Sequence, residues 1–228
     1  KGILDSAPSI DDIDATPTGY LTTVLDNQGN EIATLVASGS NRKNVTIDEI
    51  PINLQHAFVA LEDSRFYEHN GIDLTGIIRA GVTGIASGGN FSQGASTITQ
   101  QLARNIFLGY EKTYSRKIKE MFIAVALEQK YTKQEILEFY LNNVYFANGY
   151  YGIESASEAY FNKNAKDLSI SQIAFLCSIP NSPNRYDPYK HKDSTLKRRD
   201  RILKNMYEDG YISESQYEKS VAEKITIM

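Results

Sequence analysis

One stretch constrains this chain more than any other: residues 94–120 open with small and hydroxyl side chains and close with cations around one acid. Thr97 and Gln100 fit the S/T-x-x-Q capping box, which predicts a helix start with free N–H groups and a positive dipole end. Further along, Arg116 and Lys117 precede Glu120 by four and three residues, so a helix places all three on one face. The stretch therefore predicts a polar helix mouth followed by a helix that carries a charge cluster.

The same charge spacing is also typical of a solvated ion-pair ladder on a helix surface. Upstream, however, the apolar run 57–61 leads directly into Glu62 and Asp63. Such a run can hold one acid at the edge of a core, where partial desolvation makes a carboxylate a better base. The same pattern is also typical of a helix end with solvated acids, with Gly71 as the C-terminal stop.

Five sequence segments carry a family resemblance: EDSRFYEHNG, GASTITQQLARN, RKIKE, KQEILEFYLN and RRDRIL. They occur in the order and approximate spacing of the five motifs of family 51 glycosyltransferases. The chain thus resembles the peptidoglycan glycosyltransferase modules of class A penicillin-binding proteins and their monofunctional relatives. The resemblance covers roughly residues 51–217, and five motifs in register are far more specific than one.

Composition narrows the kind of partner. The chain has 228 residues, of which 41% are hydrophobic and 23% charged, as is typical of a globular domain. Its net charge of −4 gives no reason to expect nucleic acid as a partner. The basic residues concentrate in 104–119 and 197–204, which indicates an anionic group bound at a site. Three His without ligand spacing argue against a zinc site, and the lone Cys177 lies in an apolar run typical of a buried residue.

The sequence predicts three regions. Residues 1–19 are polar and form a linker, which the resemblance places after a membrane anchor that precedes residue 1. Residues 20–50 contain two β-prone runs around an Asn/Gly turn, which predicts a hairpin, with a short strand at 44–47 to join it. Residues 51–228 have helical patterning and form the expected peptidoglycan glycosyltransferase domain, and the resemblance is compatible with a transpeptidase domain after it.

The expected fold is mainly α. Thr132 and Glu135 form a second capping box, 121–127 reads as a buried helix, 168–179 as a further helix, and Lys197 opens the last helix. The glycine-rich segment of about 72–93 is either a core segment with a flexible loop or, as the resemblance implies, a mobile jaw against the membrane. The family fold is lysozyme-like, with a large helical lobe, a small membrane-facing jaw lobe and a small N-terminal β element.

The resemblance also implies a reaction: lipid II, a disaccharide-pentapeptide on undecaprenyl diphosphate, is polymerised into β-1,4-linked glycan with inversion. Inversion in one displacement needs a base for the acceptor hydroxyl and cations for the departing diphosphate. Glu62 fits the base. Glu120 is the second catalytic acid, which would orient the cations, bridge through a metal, or stabilise charge on the donor sugar. The expected substrate-binding residues are Asp63, Ser96, Gln100, Gln101, Arg104, Lys112, Arg116, Lys117 and Asn142.

Cofactor, partners and location also follow from the resemblance. It allows a divalent cation, Mg²⁺ or Mn²⁺, and implies no organic cofactor. The expected partners are lipid II, the growing glycan strand, the outer leaflet of the cytoplasmic membrane, cell-wall synthesis proteins and a linked transpeptidase, with moenomycin as an inhibitor. The expected location is the extracytoplasmic face of the bacterial cell membrane. Position 104 departs from the family, which commonly has Lys where this chain has Arg.

Two alternatives belong to other classes. A lysozyme-like peptidoglycan hydrolase also uses a Glu in a helical cleft, but its second carboxylate needs water access and no surrounding cations. A non-catalytic wall-binding module would not need Glu62 or Glu120, and both are present. The cation cluster favours the transferase, because a diphosphate leaving group requires it.

Overall fold

The structure is a computed structural model that describes residues 13, 15, 22–25, 31–35, 42–79, 96–108 and 114–228. In these ranges it is mainly helical, which confirms the predicted fold class. The elements are β1 (Thr22–Leu25), β2 (Glu31–Leu35), α1 (Ile52–Glu62), α2 (Ile98–Phe107), α3 (Tyr114–Lys130), α4 (Lys133–Asn143), α5 (Ile153–Phe161), α6 (Ile170–Cys177), α7 (Lys192–Glu208) and α8 (Glu214–Ala222). Short 3-10 helices occupy Ile47–Glu49 and Ala165–Asp167.

The predicted hairpin is confirmed. Strands β1 and β2 pair antiparallel with Thr22 opposite Leu35, and the register shifts between Val24 and Leu25. The predicted strand at 44–47 is wrong, because residues 42–46 are irregular and a 3-10 helix begins at Ile47.

A side chain explains the missing strand. The Val45 N–H donates to Asn142 Oδ1 over 3.0 Å, and Asn142 Nδ2 donates to the Val45 carbonyl over 2.8 Å. One amide side chain thus meets both backbone groups that a neighbouring strand would have paired. The next residue, Thr46, closes a capping box with Glu49 and turns the chain into the 3-10 helix.

The chain divides into two compact units. Described residues of the first unit fall within 1–15 and 58–140, and those of the second within 16–57 and 141–228. In the first unit α2 packs against α3, and Phe58 meets Tyr140 edge to face with ring centroids 6.0 Å apart. In the second unit α6 packs against α7 and α8, and α7 packs against α8.

Capping boxes mark several of the helix starts, including those that the sequence predicts at Thr97 and Thr132. The Thr132 N–H and hydroxyl donate to Glu135 over 2.7 and 2.8 Å, and the N–H contact is the main reason the pKa of Glu135 is lowered. A further box, Ser213 with Gln216, begins α8. The prediction that the helix containing Lys197 is the last one is therefore wrong: that helix begins at Lys192, and α8 follows it.

Two smaller expectations are also corrected. Helix α1 ends at Glu62, so Gly71 does not stop it. Gly71 has φ +91°, and a Cβ there would lie 2.7 Å from the Ala124 carbonyl oxygen, so close backbone packing requires glycine. Within α3, Ile123 and Leu127 are buried as expected, but Phe122 is 38% exposed.

The jaw prediction lies mostly outside the described residues. Residues 72–79 are described, with a helical stretch over 74–79, whereas 80–93 lie outside the described ranges. Leu74 and Ile78 are each 67% exposed. Across the described ranges, no helix has both the length and the apolar character needed to span a membrane.

Candidate active site

Glu62 is the last residue of α1 and is half-buried. Gln101, in the second turn of α2, donates from Nε2 to Glu62 Oε2 over 3.1 Å. The Tyr140 hydroxyl donates to Gln101 Oε1 over 3.4 Å, which fixes which end of the amide faces the acid. An uncharged donor therefore orients this oxygen of Glu62.

Glu120 has the opposite environment. Its side chain is fully buried, one oxygen contacts the Lys117 ammonium, and the other accepts from Arg116 Nη1 over 3.2 Å. The structure thus brings the three residues together as their spacing predicts. The cations lie nearer the surface, since the Lys117 side chain is 39% exposed and that of Arg116 17%. The buried Glu120 therefore holds both cations in position, and their positive charge remains accessible to an anionic group.

Residues near the start of α2 contact Glu62 on one side and Lys117, a partner of Glu120, on the other. Ser96, two residues before the helix, accepts from Lys117 Nζ over 2.8 Å. Five residues later, Gln101 contacts Glu62. A single helix start therefore positions polar groups beside both predicted catalytic residues.

Asp63 holds that helix start in place. It is 7% exposed, and its Oδ2 accepts from the Ile98 N–H over 2.9 Å. The two Asp63 oxygens lie 2.8 and 3.0 Å from His69 Nε2. The Gly71 N–H donates to His69 Nδ1 over 3.1 Å, so Nε2 carries the proton that faces Asp63. The observed partners of Asp63 are structural, and its predicted contact with substrate stays a prediction.

Gln100 also serves the helix start. Gln100 is 1% exposed, and its Oε1 accepts from the Thr97 backbone N–H over 3.0 Å. The backbone N–H of Gln100 donates to Thr97 Oγ1 over 3.1 Å. Thr97 Oγ1 donates in turn to the Gly71 carbonyl over 2.7 Å. Of the predicted polar substrate ligands, Ser96 and Gln101 are half-buried, and Gln100 is enclosed within the cap.

A second buried network was missed by sequence reasoning. Lys133 Nζ donates to the His69 carbonyl and to Glu128, each over 2.7 Å, and lies 4.4 Å from the centre of the Phe66 ring. Thr99 Oγ1 donates to the same Glu128 oxygen over 2.6 Å. Glu128 and Lys133 lie on successive helices, so no helical spacing indicates this pair in the sequence.

The remaining predicted residues are dispersed. Arg104 is half-buried in the last turn of α2, and Lys112 lies outside the described residues. Asn142 belongs to the second unit, where it clamps Val45. In the RRDRIL motif, Arg199 is 6% exposed and donates to Ser171 Oγ over 2.9 Å and to the Glu223 carbonyl over 3.0 Å. The contacts of that cation are structural.

The residues at the acid cluster do not fit a divalent ion well. Both oxygens of Glu120 face cations, and a further positive ion at that carboxylate would be repelled. Within the described ranges, no group of three His, Cys, Asp or Glu side chains is arranged to hold a metal. That the enzyme uses Mg²⁺ or Mn²⁺, which the resemblance allows, is not tested by this arrangement.

Comparison with known sequences decides the family. The profile of the family described as Transglycosylase matches residues 28–207. The chain belongs to the transglycosylase family. This membership confirms the predicted enzyme class, a peptidoglycan glycosyltransferase, and the resemblance to class A penicillin-binding proteins.

Individual relatives of this transglycosylase chain are longer proteins. It is 50% identical over 190 residues to Penicillin-binding protein 1F of Bacillus subtilis, covering 83% of the chain and 26% of the relative. It is 41% identical over 225 residues to Penicillin-binding protein 4 of the same organism, covering 99% and 35%. The chain thus spans about a third or less of these relatives.

A solved structure shows the fold. The crystal structure of Penicillin-Binding Protein 1A from Haemophilus influenzae matches with a TM-score of 0.54 and 20% sequence identity. The match covers 93% of this chain and 22% of that one. This likeness confirms the expected fold. It carries no information about the roles of the site residues.

Proposed function

We propose that this domain polymerises lipid II into β-1,4-linked glycan strands with inversion at the donor carbon and release of undecaprenyl diphosphate. The observation that carries the proposal is the contrast between the two acids. Glu62 accepts from an uncharged amide, whereas Glu120 is buried beneath two cations. A carboxylate held by a neutral amide, together with cations that remain accessible to an anion, suits a reaction with a hydroxyl nucleophile and a diphosphate leaving group.

The first step assigned to this site is proton removal. Glu62 takes the proton of the acceptor 4-hydroxyl as that oxygen forms a bond to the donor C1. The bond between C1 and the diphosphate oxygen breaks on the opposite face, and its electron pair leaves with the diphosphate. Gln101 holds the Glu62 carboxylate for this step, with its own amide oriented by Tyr140.

The departing diphosphate requires positive charge. Arg116 can grip two phosphate oxygens, and Lys117 supplies a point charge. Glu120 cannot stabilise the diphosphate directly, because two negative groups repel each other. Its role in this proposal is to hold the two cations in position from its buried site, with Ser96 as a further partner of Lys117.

The whole protein is proposed to be a membrane-anchored class A penicillin-binding protein. Support comes from the relatives, whose printed names are penicillin-binding proteins and of which this chain spans about a third or less. The polypeptide would act at the outer face of the cytoplasmic membrane, with a linked transpeptidase and cell-wall synthesis proteins as partners and moenomycin as an inhibitor. Exposed Leu74 and Ile78 support a membrane-facing jaw.

The test is polymerisation of labelled lipid II by this chain, with products resolved by size in Mg²⁺ and in EDTA. We compare the unmodified chain, Glu62→Gln, and the control Glu68→Gln, since the Glu68 side chain is 64% exposed in the same segment. Glu62→Gln is expected to lower the rate by about a hundredfold or more, as for loss of a general base. The control is expected to retain full activity.

Other outcomes would decide differently. Shortened or cleaved sugars would replace the proposal with the hydrolase alternative. Equal activity of Glu62→Gln and the unmodified chain would remove Glu62 from the role of base. Loss of activity in EDTA alone would establish the metal requirement.

A further inference from the structure

The second unit contains a polar cavity that the proposed reaction does not use. It has a volume of about 230 Å³ and is partly open to solvent. Its lining includes Lys43, Asn44, Glu49, Glu154, Asn164 and Lys166. The two glutamates and two lysines of the lining carry equal numbers of negative and positive groups. This polar lining differs from the mainly apolar lining of most small-molecule sites.

The buried groups that line this cavity are hydrogen-bond acceptors. Glu154 is 4% exposed, and one of its oxygens accepts from the Ala165 N–H over 2.8 Å. A carboxylate has about four acceptor positions, so this contact leaves most of them for other donors. Burial raises the pKa of Glu154, and the Ala165 N–H opposes this rise only in part. A cationic donor beside Glu154 would therefore favour its charged form.

Asn44 also lines the cavity. Its side-chain oxygen has no hydrogen-bond partner in the described part of the chain, but it exposes less than 1 Å² of surface and therefore does not face the cavity. The buried acceptor that a donor inside the cavity would meet is Glu154.

Positive charge lies at the exposed side of the cavity. Lys166 is exposed on the short 3-10 helix Ala165–Asp167, and it contributes to the lowered pKa of Glu49 after the larger effect of the Thr46 N–H and hydroxyl. Lys43 is also exposed and contacts Glu158 at 2.5 Å. The cavity therefore has a buried carboxylate inside, and at its exposed edge the two lysines lie with the acid Glu49.

We propose that this cavity binds a small zwitterion, with its ammonium group toward Glu154 and its carboxylate toward Lys166. A free α-amino acid and a very short peptide share this chemistry, and a volume below the roughly 300–1,000 Å³ of drug-sized pockets suits either. None of the residues that line this cavity is assigned to glycan transfer, so the test of binding requires no lipid II.

The experiment is calorimetric titration of the 228-residue chain with four probes. Alanine and alanyl-alanine carry both charges, N-acetyl-alanine lacks the ammonium, and alaninamide lacks the carboxylate. We expect saturable binding of one or both zwitterions and at least tenfold weaker binding of the two blocked compounds. The comparison of alanine with alanyl-alanine identifies the length of the ligand.

Three variants locate the site. Glu154→Gln is expected to weaken zwitterion binding by about tenfold to a hundredfold, since it removes a buried charge-assisted contact. Lys166→Met removes an exposed charge, which does not endanger folding, and is expected to weaken binding about two- to fivefold. Lys163→Met is the control, because Lys163 belongs to the same loop but contacts Gln172. It is expected to bind as the unmodified chain does.

Several results would overturn the proposal. These are no saturable binding of either zwitterion, equal binding of the blocked compounds, or unchanged binding in both Glu154→Gln and Lys166→Met. Displacement of the zwitterion by Ca²⁺ alone would show a cation site instead. Catalytic failure with lipid II would leave this binding measurement unaffected, so the two proposals are tested separately.

Discussion

Gly71 offers a sharp test of how the active-site segment is held. It has φ +91°, and a Cβ there would lie 2.7 Å from the Ala124 carbonyl oxygen and 2.8 Å from its carbonyl carbon. Both atoms belong to the backbone of α3, which cannot move aside as a side chain can. Gly71→Ala therefore combines an unfavourable backbone conformation with a steric clash.

The magnitude follows from these two contributions. A non-glycine residue at positive φ costs about 1–2 kcal/mol, and inserting an atom into well-packed surroundings costs a further 1–3 kcal/mol or so. We expect Gly71→Ala to lower the free energy of unfolding by about 2–5 kcal/mol. The Gly71 carbonyl accepts from Thr97, and its N–H donates to His69, so displacement of Gly71 would also disturb the start of α2.

Gly149 supplies the matched control. It has φ +83°, but a Cβ there would meet nothing within 4 Å, so Gly149→Ala carries the conformational cost alone. The assay is urea unfolding of both variants, with lipid II polymerisation measured in parallel. Gly71→Ala should be less stable than Gly149→Ala by about 1–3 kcal/mol, and only Gly71→Ala should lose polymerisation rate. Equal free energies of unfolding would refute the claim that the Ala124 contact requires glycine.

Three further predictions concern other residues. Gln101→Leu should slow lipid II polymerisation about tenfold to a hundredfold, because the proposed base Glu62 loses its orienting donor, and the free energy of urea unfolding should stay unchanged. Arg199→Lys should lower the free energy of urea unfolding by about 1–3 kcal/mol, because a compact ammonium cannot reproduce the planar guanidinium, which reaches Ser171 and the Glu223 carbonyl from one nitrogen and Asp200 from another. Burial opposes ionisation of Asp187, but hydrogen bonds, chiefly from Asn148, lower its pKa overall. Its charge thus stabilises the fold fully above the unfolded pKa of about 3.9, and the stability advantage over Asp187→Asn should shrink as pH falls below that value.

Local sequence patterns predicted part of the site. The spacing of Arg116, Lys117 and Glu120 placed them together, because residues three and four apart in a helix are neighbours. Thr97 and Gln100 predicted the start of α2, because a capping box needs only four consecutive residues. Both features depend on the geometry of one helix and no other part of the fold.

Other features depend on contacts between distant segments, and the sequence did not predict them. Asp63 meets the Ile98 N–H 35 residues later, and Asn142 meets Val45 across 97 residues. A hydrophobic period or a capping pattern carries no information about such pairs. The strand predicted at 44–47 is absent for this reason, because the backbone of Val45 pairs with the side chain of Asn142 in α4.

The repeated capping boxes have a consequence for folding kinetics. Pairs of this kind precede the 3-10 helix at Ile47–Glu49 and the helices α2, α4, α6 and α8. Helix nucleation is the costly step of helix formation, and a box offers early stabilisation at a defined residue without any distant contact. Helix boundaries can therefore be set on the sub-microsecond to microsecond scale of local chain motion, before the slower search for long-range packing begins. Replacing the hydroxyl residue of a box should consequently slow refolding most where the helix belongs to the folding nucleus.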